Sequence, residues 1–260
     1  MLIQHDNIFT LQVARSGANY VAIQLRRTAS TLAGERLAVL EFEKDGVELR
    51  ESVLSAETIA LVKSDIDLDS EKFKIFGVRN LEKRFASIST LVLDDMVTSI
   101  ASECLKGQAK LVRALFFDKT PEKNWYVTWH QDKTVALNRK IDKEEWSQWS
   151  MKDGAHHVQP PVEVLNQMVT LRLHIDSTNE DNGCLKVIPG THREGILKQE
   201  AIDKKVKQQP YASCVVGAGG AVIMRPHILH SSSKAKNPSH RRVVHLEYSS
   251  YALPSGVSWA

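Results

Sequence analysis

The chain of 260 residues is long enough for one large domain with a well-formed hydrophobic core. Its 34 basic and 31 acidic side chains nearly cancel, and a net charge of +3 without a basic stripe argues against nucleic-acid binding. Three cysteines without CxxC spacing argue against a disulfide framework or a zinc-thiolate site. With no signal-peptide pattern and no apolar run of about 18 residues, we expect a cytoplasmic protein, not a nucleic-acid or membrane protein. The sequence carries no signal for the oligomeric state.

Residues 1–36 carry the weakest pattern of the chain. NIFTLQV and NYVAIQLR look like two short strands on either side of an SGAN turn. We therefore divide the chain into an N-terminal extension of unclear structure, residues 1–36, and one domain, residues 37–260. Within that domain, the pattern is mostly helical over about residues 37–107 and rich in short strands over about 108–255.

Two stretches of the helical part are informative. In SAETIALVKSDI, Ser55 is a candidate N-cap, and Glu57 lies in the first turn, where a negative charge suits the helix dipole. The apolar residues of this stretch follow a helical spacing. LEKRFASISTLVLDDMVTSIASECLKG predicts one or two further helices that end at Gly107.

The second part of the domain consists of short runs rich in β-branched and aromatic residues. They are KLVRALFFD, WYVTWHQD, MVTLRLHID, CLKVIPG, CVVGAGGAVIM, HILHSSS and RRVVHLEYSSY. Turn signals separate them, namely DKTPEKN, NEDNG, PGTH, GAGG and KNPS. Many short strands between such turns predict an antiparallel sandwich or barrel rather than βαβ units.

A long polar stretch, residues 133–168, interrupts these strands. We expect it to lack regular structure, and connections of this length are usually functional lids or binding loops. The candidates for a substrate lid within it are Trp146, Trp149, His156 and His157. A packed surface loop without a direct role stays open as the alternative.

An HQD sequence indicates a metal site. Side chains at i and i+2 on a strand point to the same face, so His130 and Asp132 can bind one ion. One further histidine would complete a two-histidine, one-carboxylate triad, which leaves positions open for a co-substrate and O₂. The pattern is weak by itself because it recurs as HID at His174 and Asp176. We favour the first pair because a long polar stretch follows it, as at a barrel mouth, whereas Asp176 precedes a tight turn, where it has an ordinary capping role.

The third metal ligand is expected from the C-terminal strands. The candidates there are His227, His230, His240 and His245. His230 shares a strand face with Ser232, and Arg241 begins the next strand after the KAKNPSH turn. An arginine suits a carboxylate in a partly buried pocket, as a dicarboxylic co-substrate that chelates iron would require. An ordinary strand histidine and a surface arginine stay open as alternatives.

Several motifs together resemble a known family. FDKTP, WHQD, NGCLKVIPGTH, and ILHSSS followed by HRRVVHLEY occur in the order and with the spacing of the phytanoyl-CoA dioxygenase-like family of Fe(II)/2-oxoglutarate-dependent oxygenases. The resemblance extends from about Leu40 to Tyr248. It implies a mainly β, α+β fold, a double-stranded β-helix (a jelly-roll or cupin-like barrel) with supporting N-terminal helices.

The resemblance also implies roles for individual residues. The iron ligands, which are also the catalytic residues, match His130, Asp132 and His230. The residues that match co-substrate-binding positions are Arg241 and Ser232 at the distal carboxylate of 2-oxoglutarate, and Arg172 and Leu115 elsewhere along the co-substrate. Arg172 departs from relatives that have an aromatic residue there, and Arg242 is a rival to Arg241 that would face the other way. For NGCLKVIPGTH we favour a turn and strand, with Gly183 and Gly190 required for the backbone conformation.

The resemblance implies an enzyme that binds Fe(II) and uses 2-oxoglutarate and O₂ as co-substrates. We expect it to hydroxylate a small-molecule metabolite and to release succinate and CO₂. The carboxylate of Asp132 favours hydroxylation over halogenation. Two alternatives stay open: a zinc-dependent hydrolase that uses the same triad, and a non-catalytic jelly-roll that binds a small ligand.

Overall fold

The computed structural model describes residues 22–26, 37–70, 78–152 and 154–260. The predicted strand NIFTLQV lies outside these residues. The end of NYVAIQLR does form a strand, Ala22–Arg26, which pairs with two others. No helix among the described residues is both long enough and apolar enough to cross a bilayer.

Strands make up most of the regular structure. In chain order they are β1 (Ala22–Arg26), β2 (Leu37–Val39), β3 (Val47–Arg50), β4 (Val78–Arg79), β5 (Lys110–Lys119), β6 (Val127–His130), β7 (Val135–Leu137), β8 (Ser147–Lys152), β9 (Ala155–Gln159), β10 (Met168–His174), β11 (Leu185–Val187), β12 (Tyr211–Cys214), β13 (Ala221–Met224), β14 (His230–Ser232) and β15 (Arg241–Ser249). The helices are α1 (Phe42–Asp45), α2 (Ala56–Ser70), α3 (Ala86–Leu91), α4 (Asp95–Leu105), α5 (Val162–Asn166) and α6 (Gln199–Gln208), and two 3₁₀ helices span Leu81–Lys83 and Thr191–Glu194.

The strands form two six-stranded antiparallel sheets and one smaller sheet. We call the first the minor sheet, in the order β2-β1-β12-β11-β14-β6, and the second the major sheet, in the order β3-β13-β10-β15-β5-β4. The third sheet has the order β7-β9-β8. The sheets are antiparallel, and the strands of the described residues do not close them into a continuous barrel. The predicted jelly-roll fold with N-terminal helices is confirmed.

Alternation along β5 explains how the major sheet separates a hydrophobic core from a cavity. Ala114 and Phe116 lie on the face that packs against the helices and are 0% and 1% exposed. Arg113, Leu115 and Phe117 alternate with them and line a cavity on the other face. The helix-side core also contains Val62, Ile66, Ile88, Val97, Ile100, Leu171, Ile223, Leu246 and Tyr248. The functional residues therefore project from the face that the helices do not cover.

The helices begin and end close to the predicted positions. Ser55 caps α2, because its Oγ accepts a hydrogen bond of 3.0 Å from the backbone N–H of Thr58. The stretch before Gly107 forms two helices, α3 and α4. Helix α4 ends at Leu105, two residues before Gly107, and Lys106 follows it in the left-handed conformation at φ 51.

The expectation that about residues 37–107 are mostly helical is wrong for three segments, because β2, β3 and β4 lie among the helices. β3 forms the edge of the major sheet, where it pairs with β13 from Val47 opposite Met224 to Arg50 opposite Ala221. Four residues are too few to carry a distinct periodicity. The pairing partner, more than 170 residues away in the chain, determines the conformation.

The expectation that residues 133–168 lack regular structure is also wrong. The stretch forms the three-stranded sheet and α5. Trp146 is 4% exposed and belongs to a small core with Val135, Leu137 and Val158, all fully buried. Because most residues of this stretch are polar, its three short strands did not show a strand pattern. Their few apolar side chains are nevertheless enough to form a small separate core.

Candidate metal and co-substrate site

Two adjacent strands of the minor sheet bring three potential metal ligands together. His130 at the end of β6 lies directly opposite His230 at the start of β14. Asp132 follows β6 by two residues, with carboxylate oxygens 3.6 Å from His130 Nε2 and 3.5 Å from His230 Nε2. All three ligand atoms lie within 4.8 Å of one another. This is the spacing of side chains that can share one ion.

Backbone hydrogen bonds fix both imidazoles in the tautomer that a metal requires. His130 Nδ1 lies 2.8 Å from Thr128 O, and His230 Nδ1 lies 2.9 Å from Ile228 O. A carbonyl oxygen only accepts, so each Nδ1 carries the hydrogen and donates it. Each Nε2 therefore keeps its lone pair for a metal ion.

The charges of the three residues support one another. In the metal-free protein, burial alone would raise the pKa of Asp132, but the protonated forms of the two imidazoles, His230 first, hold it well below the ordinary value. Burial lowers the pKa of His130, and the Asp132 carboxylate more than offsets this and raises it. A metal ion would displace the proton from each Nε2 and take its place beside the carboxylate. Asp132 is therefore ionised over the whole neutral range, as a metal ligand must be.

Gln131, between the two ligands, faces away from them and joins three segments. Its Nε2 donates to the carbonyl oxygens of Gly195 at 2.8 Å and His227 at 2.7 Å, and its Oε1 accepts from Leu197 N at 2.8 Å. His227 precedes His230 by three residues. The amide thus ties the strand end with two potential ligands to the segment with the third.

The triad opens onto a cavity of about 230 Å³ between the two six-stranded sheets. All of the predicted co-substrate residues line it together with the triad: Leu115, Arg172, Ser232 and Arg241. His230 and Ser232 share one face of β14, as expected from their spacing. His230 is thus the C-terminal histidine that lies with His130 and Asp132, and His227 and His240 do not line the cavity.

The far end of the cavity, which we call the distal pocket, is rich in cations. Arg241 is 3% exposed and donates from Nη1 to Gly183 O. Ser232 Oγ donates to the same carbonyl at 2.9 Å and accepts at 2.9 Å from Lys119 Nζ. Burial and then the nearby Arg172 lower the pKa of Arg241 to about 10, so the guanidinium stays charged at neutral pH.

A chain of buried polar side chains links the middle of the cavity to its other end. Arg172 Nη1 lies 3.0 Å from His245 Nδ1, and His245 Nε2 lies 3.1 Å from Glu247 Oε1, which also binds Arg113 Nη2 at 2.5 Å. A guanidinium only donates, so His245 Nδ1 accepts and its Nε2 carries the hydrogen. Burial lowers the pKa of His245, and the neutral ring is the form that this chain needs.

The second candidate pair, His174 and Asp176 of the HID sequence, makes contacts that support the fold rather than a metal site. Asp176 accepts from Arg242 N at 3.0 Å and Arg242 Nε at 2.8 Å, and it lies 3.0 Å from Lys63 Nζ. Arg242 faces away from the cavity, as its alternation with Arg241 predicted. His174 is 1% exposed, and its pKa lies well below normal because of burial and two nearby guanidiniums. This pair therefore does not form a metal site with a third residue among the described ranges.

Other predictions meet mixed outcomes. The four lid candidates, Trp146, Trp149, His156 and His157, are not among the residues that line the cavity. Trp146 and Trp149 belong to the small core of that stretch, as the alternative of a packed loop expects, and the lid role stays a prediction. Gly183 and Gly190 adopt positive φ angles of 77° and 81°, as the NGCLKVIPGTH interpretation required.

Sequence reasoning missed several cavity residues. They are Arg113, Phe117, Lys119, Trp125, His245 and Glu247. The signal was present for most of them, because positions two apart on a strand share a face. Leu115 on β5 predicts Lys119 in this way, and Arg241 on β15 predicts His245.

The residues present fit both a divalent metal and a dicarboxylate. Two imidazoles with free Nε2 atoms and one ionised carboxylate make up the facial triad donor set of non-haem iron sites. The buried Nε of Arg241 has no hydrogen-bond partner in the described parts of the chain, which fits a guanidinium that awaits an anion.

Comparisons with known proteins agree with this fit. AviO1 from Streptomyces viridochromogenes Tue57 is 21% identical over 82% of this chain and 93% of its own, with a TM-score of 0.61. SnoK, a non-heme alpha ketoglutarate-dependent carbocyclase from nogalamycin biosynthesis, is 15% identical over 80% and 81%, with a TM-score of 0.62. HygX from Streptomyces hygroscopicus, solved with nickel and 2-oxoglutarate, is 14% identical over 80% and 84%, with a TM-score of 0.58.

At these identities, the similarity to solved structures establishes the fold. A search of curated proteins found no match. A family model described as phytanoyl-CoA dioxygenase (PhyH) matches residues 42–243, which is most of the chain. The protein is therefore a member of the phytanoyl-CoA dioxygenase (PhyH) family of Fe(II)- and 2-oxoglutarate-dependent oxygenases.

Proposed function

We propose that the protein is a dioxygenase that hydroxylates a small-molecule metabolite and converts 2-oxoglutarate and O₂ to succinate and CO₂. The observation that carries the proposal is the arrangement of the cavity. His130, Asp132 and His230 present two free imidazole nitrogens and a carboxylate at one end, and a buried arginine lies at the other.

In this proposal His130, Asp132 and His230 hold the iron. When bound, the iron, 2-oxoglutarate and O₂ supply the oxidising power for C–H hydroxylation. Thr128 O and Ile228 O keep the two imidazoles oriented through their Nδ1 hydrogens. The protein therefore contributes fixed ligands that need little rearrangement on metal binding.

The opposite wall of the cavity would orient the co-substrate. We assign the distal carboxylate of 2-oxoglutarate to Arg241 and Ser232. Arg172, held by His245, would provide positive charge along the co-substrate, and Leu115 would provide an apolar contact. Ser232 donates to Gly183 O in this structure, so its hydroxyl would rotate to donate to a carboxylate.

We also propose that residues 37–260 form the catalytic domain and that residues 1–36 extend it. Strand β1 is part of that extension, and it pairs with β12 in the minor sheet. A cytoplasmic location is proposed because the three cysteines, Cys104, Cys184 and Cys214, are free and buried.

A small organic molecule is the proposed substrate class. HygX has been solved with hygromycin B bound, and the epimerase SnoN with Fe3+, alpha ketoglutarate and nogalamycin RO. Those ligands belong to those proteins. They support a small-molecule substrate here because the chains share a fold.

The proposal is tested by succinate formation. Purified protein would be supplied with Fe(II), ascorbate, 2-oxoglutarate and O₂, first without and then with a panel of metabolites. We expect succinate formation that needs both iron and 2-oxoglutarate and that rises with the substrate. Hydrolytic activity with zinc and without 2-oxoglutarate would instead identify a hydrolase, and failure to bind either metal or 2-oxoglutarate would refute an enzymatic role.

A further inference from the structure

The end of the cavity away from the distal pocket holds an ion pair to which the proposed function gives no role. Arg113 and Glu247 lie directly opposite each other on β5 and β15, and both line the cavity. Thr134, which is exposed, lines the cavity beside them. The charge of Asp132 raises the pKa of Arg113, so this guanidinium lies near the metal ligands.

The co-substrate does not span the distance between the distal pocket and this ion pair. Lys119 and Arg241 face each other at the other end of the same two strands. Arg113 precedes Lys119 by six positions on β5, which corresponds to about 20 Å of extended chain. A five-carbon dicarboxylate bound to Arg241 is much shorter than that. Arg113 and Glu247 are therefore available to a different molecule.

Much of the hydrogen-bonding capacity of Arg113 is unused. Its hydrogen bonds to the described residues come from Nη2 alone, which donates to Glu247 Oε1 at 2.5 Å and to Thr134 O at 3.4 Å. Nε is buried without a partner in the same ranges, and a guanidinium has five N–H donors. Because Glu247 and Thr134 bind one nitrogen, they orient the guanidinium and leave its other donors for a ligand.

The charges along the cavity favour an anion as that ligand. The anionic side chains that line the cavity are Asp132 and Glu247, and the cationic ones are Arg113, Lys119, Arg172 and Arg241. When both are bound, the charges of Fe(II) and of the 2-oxoglutarate dianion cancel. Burial, and then Arg241 and Arg172, lower the pKa of Lys119 to about 7, so this ammonium is only partly charged at neutral pH. Positive charge remains in excess even when Lys119 is neutral.

The surroundings of Arg113 select a singly charged anion. A phosphate dianion is usually bound by several cationic groups or by a cluster of backbone N–H groups. Here one guanidinium lies beside the carboxylate of Glu247, which would repel a second negative charge. A carboxylate carries one charge, and its planar shape matches a guanidinium.

We propose that Arg113 binds a carboxylate of the primary substrate, and that the substrate is therefore a small organic acid. The inference rests on the proposed function, since it names the substrate class of the same active site. Glu247 is a positioning residue in this proposal, because it holds the guanidinium through Nη2. An acid bound in this way has its carbon chain next to the metal ligands.

The test uses butanoate as a probe and butanamide as its neutral counterpart. Protein loaded with Mn(II) and saturated with 2-oxoglutarate would be titrated with each compound, and NMR would measure the Mn(II)-induced relaxation of the methyl protons. We expect butanoate to bind near Mn(II) and butanamide to bind at least about 10-fold more weakly, as for loss of a hydrogen bond between charged groups. Arg113→Gln should lower the affinity for butanoate to that for butanamide and leave the affinity for 2-oxoglutarate unchanged.

Arg139→Gln is the matched control, because Arg139 donates to Ser255 O and does not line the cavity. Its affinity for butanoate should equal that of the unmodified protein. Arg113→Gln leaves the carboxylate of Glu247 buried without a cationic partner, which is costly. If that variant does not fold, the double variant Arg113→Gln/Glu247→Gln, which removes both charges, replaces it and is judged by the same affinities.

Three results would overturn the inference alone. The first is that the unmodified protein binds Mn(II) and 2-oxoglutarate but does not prefer butanoate to butanamide. The second is that butanoate binds Arg113→Gln undiminished, since the metal or another group would then hold the anion. The third is that Arg113→Gln weakens 2-oxoglutarate binding, since Arg113 would then serve the co-substrate. An unmodified protein that binds neither Mn(II) nor 2-oxoglutarate would refute the proposed function, and the inference with it.

Discussion

The two ends of the cavity differ in how their charges are balanced. At the metal end, Asp132 lies within 3.6 Å of both imidazoles, and the His130 and Asp132 side chains are 37% and 30% exposed. At the distal end, Arg241 and Lys119 are 3% and 0% exposed, and neither side chain binds a carboxylate in the described parts of the chain.

Different interactions therefore hold the side chains in place at the two ends of the cavity. The metal end is held by short-range hydrogen bonds, and its groups are already paired before a ligand arrives. The distal end is closed and carries uncompensated positive charge, so its balance depends on an anion. Mutations at the distal end should therefore leave metal binding largely intact.

The largest effect is expected from Asp132→Ala. Loss of the carboxylate removes a ligand and the only anion of the triad, so Fe(II) affinity should fall by more than the roughly 10- to 100-fold that loss of an outer partner costs. Succinate formation should fall to background. Iron content after dialysis and succinate yield are the measurements.

Asp176→Asn is its matched control, since it alters the other HxD sequence. Asp176 pairs with Arg242 and Lys63 outside the cavity, so this variant should keep its iron and lose some thermal stability. Loss of iron from Asp176→Asn and not from Asp132→Ala would reverse the assignment of the two pairs.

Arg241→Met should weaken 2-oxoglutarate binding by about 100-fold, because charge-assisted, bidentate hydrogen bonds are among the strongest in proteins. Iron affinity should not change if the two ends are independent. Arg242→Met is the control, since Arg242 faces Asp176 and Asp67 on the other side of the sheet. Equal loss of 2-oxoglutarate affinity in both variants would indicate a general effect on the sheet.

Gln131→Leu probes how the metal end is held. Leucine has a similar size but cannot bind Gly195 O, His227 O and Leu197 N, so the three segments should lose their register. We expect Fe(II) affinity to fall by about 10-fold, within the range for outer partners of metal ligands. Calorimetric titration with Mn(II) in place of Fe(II) measures the metal affinity. An unchanged affinity would show that the strands alone hold the three ligands in place.

The smallest effect concerns the pH dependence of the free energy of unfolding, to which the buried His192 and His227 contribute. Burial lowers the pKa of His192 and of His227 to about 4, below the ordinary 6.5. Between these values the unfolded chain binds more protons than the folded one, so the free energy of unfolding should fall as pH decreases from about 6.5 to 4.

His227→Phe should make this dependence shallower by up to about 1.4 kcal/mol per pH unit, because phenylalanine fills the site without binding a proton. Urea unfolding of metal-free protein at several pH values measures the slope. An identical slope in the variant would mean that His227 does not couple folding to protonation.

The local patterns predicted much of the fold correctly. Runs rich in β-branched and aromatic residues between turn signals identified the long strands β5, β10 and β15. Short strands such as β3 and β7 were missed, since three or four residues carry too little periodicity. Trp146, a lid candidate with a packed loop as the alternative, lies in a small core whose strands are too short and too polar to show a pattern.

From the sequence alone, His130 and Asp132 were expected to point to the same side, because side chains two apart do so in an extended chain. The turn signal before Arg241 likewise predicted that Arg241 begins the last strand. Tertiary structure decided that His230 stands opposite His130 and that Lys119 stands opposite Arg241. Those two contacts join residues about 100 or more positions apart. Strand register fixes them, and register depends on how whole sheets pack rather than on any local pattern.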